Sequence, residues 1–260
     1  MTGFAGVMAL VLSQVVAGAI ALTWLWPLWR ETKRLYFKIA GSLVTVLALT
    51  AWWSARSGAI AGDVAGRWSV DLALAALLVT ALSTALLFTR QEALGRAVGV
   101  VSVPVALAVL ATMAGTSRQA FALSLFQLLA GAAFLGSAYV GLFLGHWYLT
   151  DRKLTRTPIQ RATTTAIVAA CVEIVSVVSG GFSGTASSQA FNPLLTAGAL
   201  APWIALGMVG TTLLIVVLVK ASLRGQRASA VQSATGFYYL AVVTAFTAEI
   251  ALKTRFFPQV

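Results

Sequence analysis

Eight stretches of the chain are continuously apolar, at about 2–29, 35–55, 68–89, 97–115, 119–150, 162–180, 196–220 and 228–252. Each is close to or above the ~20 apolar residues that a helix needs to cross the hydrocarbon core of a bilayer. None shows the ten-residue alternation of apolar and polar positions expected of a barrel strand. The pattern predicts an all-α fold, a polytopic bundle of about eight transmembrane helices. The stretches fill the chain, so residues 1–260 read as a single transmembrane domain. Connections are short except 181–195, which is uncharged and rich in Gly and Ser. Asn192-Pro193 reads as the start of the seventh span, with Pro in a first turn. Ser102 and Pro104 predict a kink in the fourth.

Composition agrees with the pattern. The 260 residues are 59% hydrophobic and 10% charged, against about 25% charged in an average soluble domain. Mean hydropathy is +0.90. The formal charge of +11 raises nucleic acid as a partner, and its distribution answers the question. The connections after the first, third, fifth and seventh spans hold 13 Lys and Arg, among them Arg30, Arg96, Arg156 and Arg224; the other side holds 5. The positive-inside rule then predicts both termini extracytoplasmic, in an inner, cytoplasmic-type membrane. No basic residue precedes the first span, and Arg30, Lys33 and Arg34 follow it; this is the pattern of an anchor, not of a cleaved signal peptide. The basic loops suit anionic lipid heads, and nucleic-acid binding is not expected. Trp24, Trp26, Trp29 and Trp147 fall near the predicted inner ends, and Trp52, Trp53 and Trp68 near the outer ends, where indoles prefer to sit. The lone Cys171 excludes an internal disulfide and reads as a small core hydrophobe. Any iron–sulfur cluster must sit on another subunit. No repeat at a solenoid period is evident, and no soluble-enzyme motif is present.

Polar side chains inside apolar spans are costly, about 2.5–3.5 kcal/mol for a central acid on insertion scales, so each carries information. Glu173, mid-span in the sixth stretch, reads either as a catalytic proton acceptor beside a substrate or quinone, or as a protonated acid gluing helices together. Glu249 and Lys253, four apart near the end of the last span, read as an interfacial salt bridge. Asp71 reads as a helix N-terminal charge favoured by the dipole. Gln14, with Ser13 beside it, is a hydrogen-bond donor to a carbonyl ligand or a helix–helix contact, and Gln127 and Gln232 carry the same two readings. His146 is the only histidine. A bis-histidine haem is therefore impossible, and Met113 or Met208 would have to complete any haem ligation. In Gly145-His146-Trp147-Tyr148 the imidazole can relay protons, contact quinone near the cytoplasmic face, or belong to an interfacial belt. Gly141 and Gly145, with Gly131 and Gly136 before them, mark close helix packing.

Two terminal patterns carry a resemblance. Ser13-Gln14-Val15-Val16-Ala17-Gly18 in the first span, and Ala248-Glu249-Ile250-Ala251-Leu252-Lys253 followed by Arg255-Phe256-Phe257 in the last, resemble the membrane-anchor family of polysulphide and dimethyl-sulphoxide reductases, the NrfD-like proteins. Where that family carries a His-Leu-Gly stretch after its second helix, this chain has Ala55-Arg56-Ser57-Gly58. The resemblance implies a menaquinone- or ubiquinone-interacting subunit without haem or metal, anchoring a multisubunit respiratory oxidoreductase. Electrons would be exchanged with extrinsic, iron–sulfur-bearing subunits on the extracytoplasmic side. It places Gln14 and Glu249 at the quinone site, with Asp71 at the same outer edge and His146 as the competing, inner-side candidate. The rival readings of the chain are a small-solute or ion transporter, with Glu173 and the 180–184 turn lining a path, and a structural membrane subunit with no ligand of its own.

Overall fold

The computed structural model describes residues 1–89, 91–117, 119–151, 154–182, 193–225 and 228–256. Among them the chain forms nine helices and no strand. These are α1 (Gly3–Trp24), α2 (Leu28–Glu31), α3 (Arg34–Gly58), α4 (Val64–Phe88), α5 (Glu92–Ala114), α6 (Phe121–Thr150), α7 (Thr157–Ser179), α8 (Pro193–Ser222) and α9 (Ala228–Lys253). All but α2 are long and apolar enough to cross a membrane. The protein is a polytopic membrane helix bundle, as the eight apolar stretches predict.

Three local expectations need correction. The first stretch, 2–29, is not one helix. It ends at Trp24, where the Leu25 N–H closes the last turn on the Ala21 carbonyl at 2.9 Å, and the chain restarts as the single turn α2. Pro27 is the reason, since it has no N–H to donate and biases the residue before it away from helix. Asp71 is not at a helix start. α4 begins two turns earlier, and its N-cap is Asp63, whose carboxylate accepts the Gly66 N–H at 3.0 Å. Cys171 is exposed rather than in the core. It shares a face of α7 with Val168, Val172, Val175 and Val178, all exposed; in a bilayer an apolar face needs no protein cover. α5 continues through Pro104, and the Ser102 hydroxyl donates to the Gly99 carbonyl at 2.6 Å. Asn192 lies outside the described residues, as do Arg90, Arg118, Arg152, Lys153 and Arg227 of the charge count, while Pro193 opens α8 as expected.

The packing order divides the bundle into two halves. α1 and α6 form the inner pair, with 78% of each apolar window buried against 33–44% for the other six spans. α3 and α5 pack on α1 and are bridged by α4; α7 and α9 pack on α6 and are bridged by α8. The halves also share a sequence: Gln14-Val15-Val16-Ala17-Gly18-Ala19 in α1 and Gln127-Leu128-Leu129-Ala130-Gly131-Ala132 in α6. They meet where a Cβ on Gly18 would overlap the Ala132 carbonyl and one on Gly136 would overlap the Gly18 backbone. Only glycine permits that approach. Gly141 and Gly145, expected as a packing step, seat the Tyr238 ring and the Thr235 hydroxyl of α9. Between the helices of the first half, small residues meet: Ser13, Ala48, Ala51, Ala73, Ala76 and Ala106 surround one point. Large residues such as Leu78, Leu214 and Val243 are exposed. With lipid as the solvent, close contact between small residues replaces hydrophobic drive.

Cross-links between connections align the ends of the spans on two faces. On the terminal face the N-terminal ammonium meets Asp63 at 3.3 Å, the Thr2 N–H donates to the Gly58 carbonyl, and Arg255 donates to the Gly181 carbonyl. On the opposite, basic face Lys33 pairs with Asp151 at 2.8 Å, Arg161 with Glu31 at 3.1 Å, and Arg34 donates to the Leu87 carbonyl. The pairs Lys33–Asp151 and Glu31–Arg161 join the first half to the second.

Candidate functional site

Near the terminal face, five of the residues that the sequence marks, Gln14, Gln127, Glu173, Glu249 and Lys253, come together with Ser176. Glu249 and Lys253 lie one turn apart on α9 and make a salt bridge at 3.1 Å. Their i,i+4 spacing predicts the pair, but not its surroundings: both side chains are 0% exposed, so the bridge is inside the bundle and not at the membrane interface. Glu173 of α7 is also fully buried and abuts Glu249. Ser176, three residues on, faces the Glu173 carboxyl without a hydrogen bond of normal geometry. From α1, the Gln14 amide nitrogen donates to the Gln127 and Leu128 carbonyls at 3.4 and 3.2 Å. The same Gln127 carbonyl accepts from the Lys253 ammonium at 3.3 Å, and the Gln127 amide donates to the Ser176 carbonyl. Gly131 makes room for this convergence. A Cβ there would overlap the Gln14 amide nitrogen and come within 2.6 Å of Glu249 Oε2.

The cluster has acceptors in surplus. Both oxygens of Glu173 and of Glu249, and the side-chain oxygens of Gln14 and Gln127, are buried and receive no hydrogen bond among the described residues. The ion pair to Lys253 is the one favourable contact that reaches Glu249 Oε2. Buried polar groups are ordinarily satisfied, and ionised carboxylates accept but cannot donate.

Near the basic face lies a second arrangement. Leu35, Tyr36 and Ile39 of α3, Leu142, Phe143, His146, Trp147 and Thr150 of α6, and Tyr239 of α9 line a groove of about 410 Å³. It runs along the seam between the halves. Leu35, Ile39 and Tyr239 are each about half exposed, at 51%, 49% and 50%, so the groove opens sideways from the bundle. His146 Nε2 and Tyr239 Oη are 2.7 Å apart, with the donor set by the imidazole tautomer. Two further donors sit in the wall. Tyr36 Oη and Trp147 Nε1 are buried and have no hydrogen-bond partner among the described residues, their rings packed edge to face at 6.1 Å.

Gln14, Glu173 and Glu249 are therefore brought together, with Gln127 and Lys253. His146 is separate, 19 residues beyond Gln127 and about 28 Å away along α6. Asp71 joins neither site; it is exposed on α4, which packs on α3 and α5. Tyr36, Tyr239 and the role of Gly131 escape sequence reasoning. The repeated Gln-x-x-Ala-Gly-Ala hexapeptide is the signal that pairs Gln14 with Gln127 and Gly131. For Tyr36 and Tyr239, on helices distant in sequence, there is no such signal.

Comparison of the chain with family models, with curated proteins and with solved structures finds no match.

Proposed function

We propose that this membrane protein binds a quinone and serves as the integral membrane subunit of a respiratory oxidoreductase whose redox centres reside on partner subunits. One observation carries the reading: an apolar, aromatic groove, open toward the surroundings of the bundle, carries the exposed His146–Tyr239 pair on its wall. Quinone carbonyls are acceptors on a flat ring, and the isoprenoid tail needs a lateral exit into lipid. The His146–Tyr239 pair supplies a hydrogen-bond donor and a group able to take or give a proton, Phe143 and Trp147 supply flat apolar wall, and Tyr36 Oη and Trp147 Nε1 lie buried behind that wall without a partner among the described residues. The volume falls in the ordinary range for small-ligand sites, roughly 300–1,000 Å³. Gln14 is less suited to this role, because its amide nitrogen already donates to two α6 carbonyls in a closed interior. The reading therefore favours His146 over Gln14 as the quinone-facing residue, at the basic face. The terminal patterns that resemble the NrfD-like anchors support the class of partner, iron–sulfur-bearing extrinsic subunits, which would have to dock at the basic face for electrons to reach the groove by a short path.

Gentle purification from native membranes tests the proposal, with bound quinone and co-purifying redox subunits measured together. We expect both. His146→Leu should lower quinone content and quinol-linked activity while the complex assembles, and Gln14→Leu should affect assembly more than quinone content. A lone polypeptide without quinone would sink the proposal and favour a second reading, transport of a small solute or ion, for which the buried Glu173–Glu249–Lys253 cluster is the supporting observation.

A further inference from the structure

Among the described residues, the cluster at the terminal face holds two acids against one cation, and its carboxyl oxygens receive no hydrogen bond. Its ionisable members are two carboxyls, Glu173 and Glu249, and one ammonium, Lys253, all 0% exposed. From the elements packed around them, α1 contributes Gln14, α6 contributes Gln127 and Gly131, and α7 contributes Ser176. None of these is charged. α8, which packs on α7 and α9, carries Lys220 at its opposite end. Arg255 lies beyond the end of α9 and reaches the Gly181 carbonyl. With both acids ionised, one negative charge would stand uncompensated in a low-dielectric interior, which is strongly disfavoured even after relaxation. The oxygens tell the same story independently. Glu173 abuts Glu249, yet neither carboxylate receives a hydrogen bond among the described residues. Two carboxylates in contact are both acceptors, so one of them needs a hydrogen. One proton removes both deficits: it neutralises the cluster and places an O–H between the two carboxyls, while Lys253 holds the remaining negative charge.

We propose that Glu173 and Glu249 form a proton-binding site, sharing one exchangeable proton against Lys253. Its exchange route opens to the terminal face. Glu173 is six residues, ~9 Å, before the end of α7, and Gln127 is six residues after the start of α6. Lys253 is the last residue of α9. The proposal stands apart from quinone binding, which concerns the other face of the bundle.

Infrared difference spectroscopy on the full-length protein in lipid bilayers, without added quinone, tests it. The carbonyl stretch of a protonated carboxylic acid is followed through a pH titration and on transfer to D2O. The other acids, Glu31, Asp63, Asp71, Glu92 and Asp151, are all at least partly exposed, so a buried acid is distinguishable. We expect one protonated-acid band that shifts in D2O and titrates away at high pH. Glu173→Gln should abolish it, and so should Glu249→Gln, because either change leaves a single carboxylate paired with Lys253. Lys253→Met should double it, since neutrality then needs a proton on each acid. If Lys253→Met does not fold, the two Gln variants still decide. The proposal is overturned if the wild-type protein shows no such band, if the band survives both Gln changes, or if the band appears only when sodium is withdrawn, which would make the site one for a monovalent cation.

Discussion

The two halves of the bundle share a packing order and a hexapeptide, but they keep their charges in different places. In the first half, α1 with α3, α4 and α5, the helices meet through Ala, Ser and larger apolar residues, and the ion pair of the terminal face, N-terminal ammonium to Asp63, sits at the edge with the carboxylate 26% exposed. In the second, α6 with α7, α8 and α9, an ion pair and a further acid lie wholly inside. The contrast is sharpest at the ends of the two outer helices. Thr112 and Thr116 stand four apart near the end of α5, as Glu249 and Lys253 do at the end of α9. The threonine hydroxyls donate to carbonyls of their own helix, which costs the bundle nothing. The charged pair must instead be met by α1, α6 and α7. The two halves share a packing order, and among the described residues only the second encloses an ion pair.

The largest expected effect breaks that contrast directly. Lys253→Ala removes the cation of the buried Glu249–Lys253 pair, and breaking a buried pair typically costs about 3–5 kcal/mol. Thr116→Ala, at the matching place in the first half, should cost no more than ~1 kcal/mol, since only one hydroxyl bond is lost. Denaturant titration of both variants in mixed micelles gives the comparison; equal losses would mean that the halves are energetically alike.

The hexapeptide glycines should come next. Gly18→Ala drives a methyl into the backbone of α6, and overpacking of this kind costs about 1–3 kcal/mol. Gly131→Ala meets side chains, Gln14 and Glu249, whose ends can swing aside. It should destabilise less and disturb the cluster more. Thermal unfolding ranks the two, and a larger loss at Gly131 would show that the cluster is stiffer than the helix crossing.

The smallest effect belongs to Asp63. Partial burial works to raise its carboxyl, but the Gly66 N–H, the N-terminal ammonium and the Ala65 N–H outweigh it and hold the group below its ordinary value of 3.8. A lowered folded value means that ionised Asp63 stabilises the fold at every pH above 3.8, and that this contribution fades as pH falls through the lower, folded value. Asp63→Ala removes a helix cap and should cost about 0.5–2 kcal/mol near neutral pH. The difference from wild type should shrink in strong acid, as unfolding curves across that pH range would show. A difference that grows with acid would contradict the sign.

How much was legible follows from the solvent. Eight apolar runs predict eight spans because a bilayer leaves a chain no other way to satisfy its backbone there, and the basic residues on alternate connections agree with the alternation of faces that the fold displays. Local grammar was less secure. Pro27 ends α1 earlier than apolarity alone predicts, and Asp63 caps α4 two turns before Asp71. The site residues Gln14, Glu173, Glu249 and His146 stand out because polar side chains are rare in apolar spans, and that rarity is all the sequence expresses about them.

The sequence by itself determined that this is a membrane protein, how often it crosses, and which side chains are expensive to keep there. Tertiary structure alone decided which of them meet. Glu249 reads as an interfacial pair with Lys253 until α7 brings Glu173 against it and Gly131 opens α6 to admit both Gln14 and the carboxylate. Trp147 reads as an interfacial aromatic until α3 and α6 enclose its indole N–H and the Tyr36 hydroxyl beside the groove, without a partner among the described residues. Insertion into lipid depends on the hydropathy of each segment, which a one-dimensional pattern records. Contact among α1, α6, α7 and α9 depends on how closely backbones can approach, and that is fixed by pairs of small residues more than a hundred positions apart, Gly18 with Ala132 and Gly136.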